Sequence, residues 1–395
     1  MSLSTTRRWV VRIPRIRSGD FGRSRGERRG RGRLRTGLAA LGMVAATITL
    51  PSAPAGASVA PPAFPVLVTN SRSGTVTDIN ASGTTTLTVG SAPDAVAITP
   101  DGKYAYVANS DTSGTVSVID GANTANPTVS ATTLTVGSFP TSIAVTPNGA
   151  YAYVVNDNSN SVSIIDHADT AAPSVSTTRL GVGAAPNVVA ITPNGAYAYV
   201  TNVNSNSVSV ISGVSTAAPT VSGTLNVGAG TSPWAVAITP DGAYAYVADN
   251  GTGKVSVIEG ASTVNPTVAT TTLAVGGQPD AIAITPGGAY AYVANALDGT
   301  VSVISGANTS APSVSATLQV GTSPQAVAVS PDGAYAYVAN GALGASGSVS
   351  VIDGASTSSP STGTPLTVGN TPDGVAVVPD QAPVAAISAT AAPPG

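Results

Sequence analysis

Short runs of alternating apolar and polar residues fill the chain from about Val66 to Val378. In the stretch that begins at Pro93, the runs AVAIT, YAYVAN, TVSVID and TLTVG are separated by turn residues such as Pro-Asp-Gly. Alternation with period two, interrupted every few residues, is typical of β-strands rather than helices. The stretch therefore predicts four short strands.

This four-strand stretch is repeated around the chain. Close variants begin at prolines spaced 45 to 48 residues apart, namely Pro93, Pro140, Pro186, Pro233, Pro279, Pro324 and Pro372. A fixed period of this length indicates β-propeller blades. The residues before Pro93 match only the second to fourth strands (Val66 to Asn70, Thr75 to Asn80, Thr86 to Gly90), and Gly374 to Val378 match only the first. We therefore predict an all-β, closed seven-bladed β-propeller of four-stranded blades, with a 3+1 seam between its N-terminal and C-terminal strands and no open edge.

Side-chain size along each unit agrees with this architecture. The centre of every first strand is alanine, as expected where strands crowd around a central axis: Ala97, Ala144, Ala190, Ala237, Ala283, Ala328 and Ala376. All twelve tyrosines occur as i, i+2 pairs in the second strand, so each pair points to one face of its sheet. We expect these tyrosines to pack between neighbouring blades.

The strings YAYVAN, YAYVVN and YAYVTN, followed by SVSVI, resemble the YVTN family of β-propeller repeats. The resemblance covers about 310 of the 395 residues and recurs in every unit. It implies an exported or cell-surface seven-bladed propeller with binding or surface roles. It supplies no catalytic motif, and a fold alone does not establish a function.

The N-terminal segment differs from the repeats, because residues 1–57 hold 12 of the 16 basic residues and all 12 are arginine. An apolar run at 37–50 follows the arginines, and the small residues APAGA follow that run. This order predicts a signal peptide over residues 1–57, cleaved after Ala57. The run is too short to span a bilayer. Sec and twin-arginine export both stay open, and we expect a secreted or cell-surface (envelope) protein.

Behind the predicted signal we expect a linker at 58–64, the propeller at 65–379 and a Pro/Ala-rich tail at 380–395. The tail has two interpretations, a flexible extension or the start of a truncated PKD-like module. After Ala57 the chain carries four basic and 17 acidic residues, a formal net charge of −13. Such a surface disfavours nucleic acid as a partner, since phosphate neutralisation dominates that kind of binding.

The inventory of catalytic groups is small, with no cysteine and a single histidine, His167, which we expect in an exposed loop. We therefore expect a non-catalytic protein without a cofactor, acting as a binding or protein-interaction module. A structural or adhesive envelope component is the alternative. A lactonase-like or quinone-dependent propeller enzyme would rest on fold analogy alone.

The repeats differ most beside the repeated proline, on the loop that leads from the fourth strand to the first and that opens at the channel mouth. We predict a site there for an extracellular ligand, a carbohydrate or a protein. The candidate residues are Asp94, Phe139, Asn187, Trp234, Asp280, Gln325 and Asp373. Neutral drift on a solvated rim would also explain this variation.

The loops between second and third strands add acidic residues on the same face: Asp111, Asp157, Asp249 and Asp298. Acidic loops can bind calcium. Their spacing fits no known calcium loop, and Asx turns explain them more economically. No metal site is predicted.

Overall fold

The computed structural model describes residues 62, 64–341 and 346–379, and this part of the chain consists of 29 β-strands and irregular segments. No helix in the described part is long and apolar enough to cross a membrane. The predicted signal peptide and the predicted tail lie outside the described residues.

The strands form seven antiparallel sheets, one per blade. The chain first supplies β1 (Val66–Asn70), β2 (Thr75–Asn80) and β3 (Gly83–Thr88). Blades 1 to 3 are β4 (Pro93–Ile98), β5 (Tyr104–Asn109), β6 (Thr115–Asp120), β7 (Thr128–Thr135); β8 (Pro140–Val145), β9 (Tyr151–Asn156), β10 (Ser161–Asp166), β11 (Ser174–Gly181); and β12 (Pro186–Ile191), β13 (Tyr197–Asn202), β14 (Ser207–Ser212), β15 (Thr220–Asn226).

Blades 4 and 5 are β16 (Pro233–Ile238), β17 (Tyr244–Asp249), β18 (Lys254–Glu259), β19 (Thr267–Ala274); and β20 (Pro279–Ile284), β21 (Tyr290–Asn295), β22 (Thr300–Ser305), β23 (Ser313–Gln319). Blade 6 has a divided outer strand and comprises β24 (Pro324–Val329), β25 (Tyr335–Asn340), β26 (Ser346–Asp353), β27 (Ser361–Thr362) and β28 (Leu366–Asn370). The last strand, β29 (Pro372–Val377), joins β1–β3 to complete blade 7.

The predicted seam is confirmed in its register. Strand β29 runs antiparallel to β1 and pairs Val377 with Val66 and Val375 with Val68. The innermost strands contact one another in a closed circle that returns from blade 7 to blade 1. Because the two ends of the repeat region share one sheet, closure of the ring leaves no unpaired inner edge.

The tyrosines pack between blades, as predicted. The second tyrosine of each pair is buried, and its ring joins a cluster with side chains of the next blade, such as Tyr106 with Ile165 and Ala168. The Tyr106 hydroxyl donates a hydrogen bond of 2.8 Å to the carbonyl of Ala168. Blade 7 carries Leu67 at this position. Packing plus one buried hydrogen bond therefore links most neighbouring blades.

Candidate functional site

The loops around the repeated prolines share an unusual backbone. The residue before every one of these prolines has a positive φ of 45° to 53°, although none is glycine: Ala92, Phe139, Ala185, Ser232, Gln278, Ser323 and Thr371. In this conformation the Ala92 carbonyl accepts a hydrogen bond from Ser110 N at 2.8 Å. The Phe139 carbonyl likewise accepts one from Asp157 N at 2.9 Å. These bonds join the two loop sets on one face of the propeller, which we call the proline face.

Each innermost strand begins at the repeated proline itself, so the residues that follow the prolines lie in strands and not in the expected loop. Proline suits this first strand position because it has no N–H to donate. We call these seven post-proline positions the mouth ring: Asp94, Thr141, Asn187, Trp234, Asp280, Gln325 and Asp373. All seven line one cavity of about 310 Å³ at the centre of the molecule.

The cavity thus gathers six of the seven predicted site residues. The seventh, Phe139, is not among its lining residues. Phe139 precedes Pro140 in the left-handed conformation, with φ 53°, and therefore sits in the loop before the strand begins. Ligand binding by the six remains a prediction.

Two carboxyl groups of the mouth ring lie on adjacent innermost strands, Asp94 on β4 of blade 1 and Asp373 on β29 of blade 7. Burial raises the pKa of Asp94 to about 7, and the charge of Asp373 adds to this effect. Burial also raises the pKa of Asp373, against a lowering hydrogen bond from Ser71. Burial disfavours the charged form of both groups, so the raised pKa of Asp94 leaves that carboxyl partly protonated near neutral pH.

Asp280 is the third carboxyl group of the ring. The Asn250 amide, from the adjoining loop of blade 4, donates a hydrogen bond to Asp280 Oδ1. Burial raises the pKa of Asp280 to about 6, although this hydrogen bond acts in the opposite direction. The mouth ring therefore contains three carboxyl groups whose pKa values lie nearer neutrality than usual.

Trp234 presents an apolar surface at the mouth, with 37% of the residue exposed. Its carbonyl oxygen accepts hydrogen bonds from Asn187 Nδ2 at 2.8 Å and from Thr201 Oγ1 at 3.1 Å. The Asn187 carbonyl in turn accepts one from Thr141 Oγ1 at 2.7 Å. Side chains of blades 2 and 3 thereby fix the backbone at Trp234. Thr201 was not among the predicted site residues, although threonine there interrupts a position that is mostly alanine.

Two of the remaining acidic candidates, Asp111 and Asp298, accept hydrogen bonds from backbone N–H groups. The Asp111 carboxylate accepts bonds from the backbone N–H groups of Ser113 and Gly114, as in an Asx turn. Asp298 accepts one from Gly277 N at 2.7 Å. Asp249 is not a loop residue: it ends β17 and is buried. Within the described ranges, no group of three or more His, Cys, Asp or Glu side chains is arranged to hold a metal ion.

His167 lies far along the blade from these residues. It follows the end of strand β10, with a left-handed φ of 58°, and it is exposed. Its neighbours in a separate surface cavity include Asp166 and Asp169. The lone histidine is therefore no part of the mouth ring.

Comparison with known proteins identifies the family. Residues 64–173 and 175–387 match the family model described as "Lactonase, 7-bladed beta-propeller", and the chain belongs to this family. No curated protein matches the sequence.

Solved structures share the fold. Hydrazine synthase from Kuenenia stuttgartiensis is 25% identical, with a TM-score of 0.61 over 73% of this chain and 91% of that one. The periplasmic gluconolactonase of Pseudomonas aeruginosa is 18% identical, with a TM-score of 0.67 over 80% and 99% of the two chains. A candidate 6-phosphogluconolactonase from Bacteroides fragilis is also 18% identical, with a TM-score of 0.66 over 80% and 98%.

The family membership overturns one expectation. A non-catalytic protein was expected from the sequence, and this expectation was wrong, since the family model is that of lactonases. That expectation rested on counting histidines and cysteines. It overlooked that the ring brings Asp94 and Asp373 together from opposite ends of the propeller sequence. The YVTN resemblance, unlike the lactonase family, is not confirmed.

Proposed function

We propose that the mouth ring binds a neutral, sugar-derived lactone and hydrolyses it with the carboxyl pair Asp94 and Asp373. The observation that carries this proposal is the pair itself, two adjacent carboxyl groups that line an open cavity in a protein of the lactonase family. Burial of both groups, together with the charge of Asp373 acting on Asp94, favours one proton on the pair near neutral pH. One carboxylate and one carboxylic acid are then available together.

This protonation state suits lactone hydrolysis. The carboxylate accepts a proton from a water molecule as the water oxygen attacks the lactone carbonyl carbon. As the bond between that carbon and the ring oxygen breaks, the carboxylic acid donates its proton to the departing oxygen. The product is an open-chain hydroxy acid, and the pair again holds one proton. Which aspartate acts as base is not a property of either residue alone, because their titrations are coupled.

The other ring residues favour a neutral polyhydroxylated substrate. The exposed Trp234 offers an apolar surface to the C–H face of a sugar ring, while Gln325 and Asp280 offer polar groups for hydroxyls. The ionised carboxylates of the ring at neutral pH, Asp280 and one member of the pair, repel a phosphate group. They also repel the carboxylate that hydrolysis creates, which favours product release. An unphosphorylated lactone therefore fits better than a 6-phosphogluconolactone.

The test is a pH-stat assay of glucono-δ-lactone, corrected for spontaneous hydrolysis, with 6-phosphogluconolactone in parallel. We expect Asp94→Asn and Asp373→Asn each to reduce kcat by about 100-fold or more, since each removes one acid–base partner. Asp169→Asn, an exposed aspartate outside the mouth ring, is the matched control. Failure of the unaltered protein to exceed the spontaneous rate, or full activity in both variants, would refute the proposal.

We also propose that the protein acts outside the cytoplasm. Support comes from the arginine-rich segment and apolar run of residues 1–57, and from the fold shared with a gluconolactonase described as periplasmic. Cell fractionation followed by N-terminal sequencing tests this idea. Recovery of a chain that begins at Ser58 outside the cytoplasm is expected, and an intact cytoplasmic chain would contradict it.

A further inference from the structure

One strand position separates two blades from the other five. It is the penultimate residue of the second strand, which is alanine or valine in blades 1, 2, 4, 5 and 6: Ala108, Val155, Ala248, Ala294 and Ala339. Blades 7 and 3 carry Thr69 and Thr201 there, and both threonines are fully buried. A hydroxyl at a position where the fold accepts alanine calls for a specific explanation.

Both hydroxyls make the same pair of hydrogen bonds. Thr69 Oγ1 accepts from Gly374 N at 2.7 Å in its own blade and donates to the Asp94 carbonyl of the next blade at 3.0 Å. Thr201 Oγ1 accepts from Val188 N at 3.0 Å and donates to the Trp234 carbonyl at 3.1 Å. Each threonine therefore ties the inner strand of its own blade to a mouth-ring residue of the next.

The backbone around Thr69 is shaped for this bond. A Cβ atom on Gly374 would lie 2.6 Å from the Asp94 carbonyl oxygen and 2.8 Å from Thr69 Oγ1, so in blade 7 glycine permits this close approach of the strands. The other blades carry alanine, serine or valine at this position: Ala95, Ser142, Val188, Ala235, Ala281 and Ala326. Glycine is a local requirement of blade 7, since in blade 3 Thr201 accepts the equivalent bond from Val188 N.

We propose that Thr69 and Thr201 are positioning residues that hold the two working ends of the lactonase site, the carboxyl pair and the Trp234 surface. The inference rests on the proposed function, and it adds how the substrate lies. Blades 1 and 4 are three places apart in the ring of seven, the largest separation that such a ring allows. The sugar ring stacks on Trp234, and the lactone carbonyl points across the mouth to Asp94 and Asp373.

Because Thr201 supports the Trp234 surface and Thr69 supports the carboxyl pair, the two threonines should affect different kinetic parameters. Loss of the Thr201 hydroxyl loosens the binding surface, so Thr201→Ala should raise KM about five-fold with little change in kcat. Loss of the Thr69 hydroxyl loosens Asp94, so Thr69→Ala should lower kcat about five-fold with little change in KM. Thr→Ser at either position keeps the hydroxyl and should restore the parameters. Alanine is the residue used by four other blades, so both variants should fold.

A second readout does not depend on activity. With Trp9→Phe in the full-length chain, Trp234 is the sole tryptophan, and its time-resolved fluorescence anisotropy reports its mobility. We expect faster depolarisation in Thr201→Ala, and unchanged behaviour in Thr201→Ser and Thr69→Ala. The positioning roles would be overturned by equal anisotropy decay in the unaltered protein and the three variants. They would also be overturned if both alanine variants changed kcat and KM in the same way. A strong effect of Asp94→Asn in that case would leave the proposed function standing.

Discussion

Replacement of Asp249 by asparagine should stabilise the protein, and increasingly so as the pH rises. The last residue of the second strand is asparagine in six blades: Asn70, Asn109, Asn156, Asn202, Asn295 and Asn340. Blade 4 has Asp249 instead, with 1% of the residue exposed. Ser256 Oγ donates to its Oδ2 at 2.6 Å, while its Oδ1 has no hydrogen-bond partner. An ionised carboxylate at this place lacks the solvation that it has in the unfolded chain.

The magnitude follows from linkage. Burial raises the pKa of Asp249 from 3.8 to about 7. A carboxyl group with a raised pKa binds its proton more tightly in the folded state, so its stabilising contribution is complete below the unfolded value and is lost as the pH rises to about 7. Between pH 5 and pH 8 this loss amounts to about 2 to 3 kcal/mol. Asparagine cannot ionise, so the Asp249→Asn protein does not lose this stability as the pH rises.

Urea unfolding of the two proteins at pH 5 and at pH 8 measures the difference. The stability advantage of Asp249→Asn over the unaltered protein should grow by about 2 to 3 kcal/mol between these pH values. The repeat supplies the reverse control, since Asn202→Asp places the same group in blade 3 and should make stability fall more steeply with pH. An advantage for Asp249→Asn that is equal at both pH values would show that Asp249 does not titrate as argued.

Three further changes test other features. Tyr199→Phe removes the hydroxyl that donates to the Ala261 carbonyl at 2.7 Å and should reduce the free energy of unfolding by about 1 to 2 kcal/mol. The control is Tyr197→Phe, at the half-buried tyrosine two residues earlier. Equal effects of the two substitutions would contradict the inter-blade role of the Tyr199 hydroxyl. Gly374→Ala should reduce the free energy of unfolding by about 1 to 3 kcal/mol, because the alanine Cβ meets the Asp94 carbonyl oxygen. An unchanged midpoint of thermal unfolding would contradict this prediction. Asn250→Ala removes a hydrogen bond that lowers the pKa of Asp280. The pKa of Asp280 should therefore rise above about 6 in a titration followed by carbon-13 NMR of the carboxyl groups. A lower pKa in the variant would refute the role assigned to the Asn250 hydrogen bond.

The repeat made most of the fold predictable. The period, the four strand runs and the incomplete units at the two ends gave the blade count and the seam, which β29 and β1 confirm. The same periodicity placed the mouth-ring residues together, because equivalent positions of a closed ring converge on its axis. Phe139 was included for its place beside a proline. Its side chain misses the cavity because a left-handed residue before the strand is not in the alternation of the strand.

Chemistry was harder to predict than architecture because it depends on distances between particular side chains. A single aspartate after a proline resembles many solvated aspartates, and nothing in one unit shows that Asp94 and Asp373 lie on adjacent strands where blade 7 meets blade 1. Burial raises the pKa of both groups, and the charge of Asp373 adds to the shift of Asp94; both effects are properties of the closed ring. The low count of histidine and cysteine therefore carried no information about carboxyl groups that the fold brings together.

Departures from the repeat are the sequence signal that could have found the site. The fold itself demands what all blades share, such as the alanine at the centre of each inner strand and the buried tyrosines. Blades 7 and 3 depart by Thr69 and Thr201, and each hydroxyl bonds the carbonyl of a mouth-ring residue in the following blade. Those two ring residues, Asp94 and Trp234, belong to the two ends of the proposed site. Because drift on a solvated rim has no reason to place buried hydroxyls behind those two residues, the threonines favour a functional origin for the variation at the mouth.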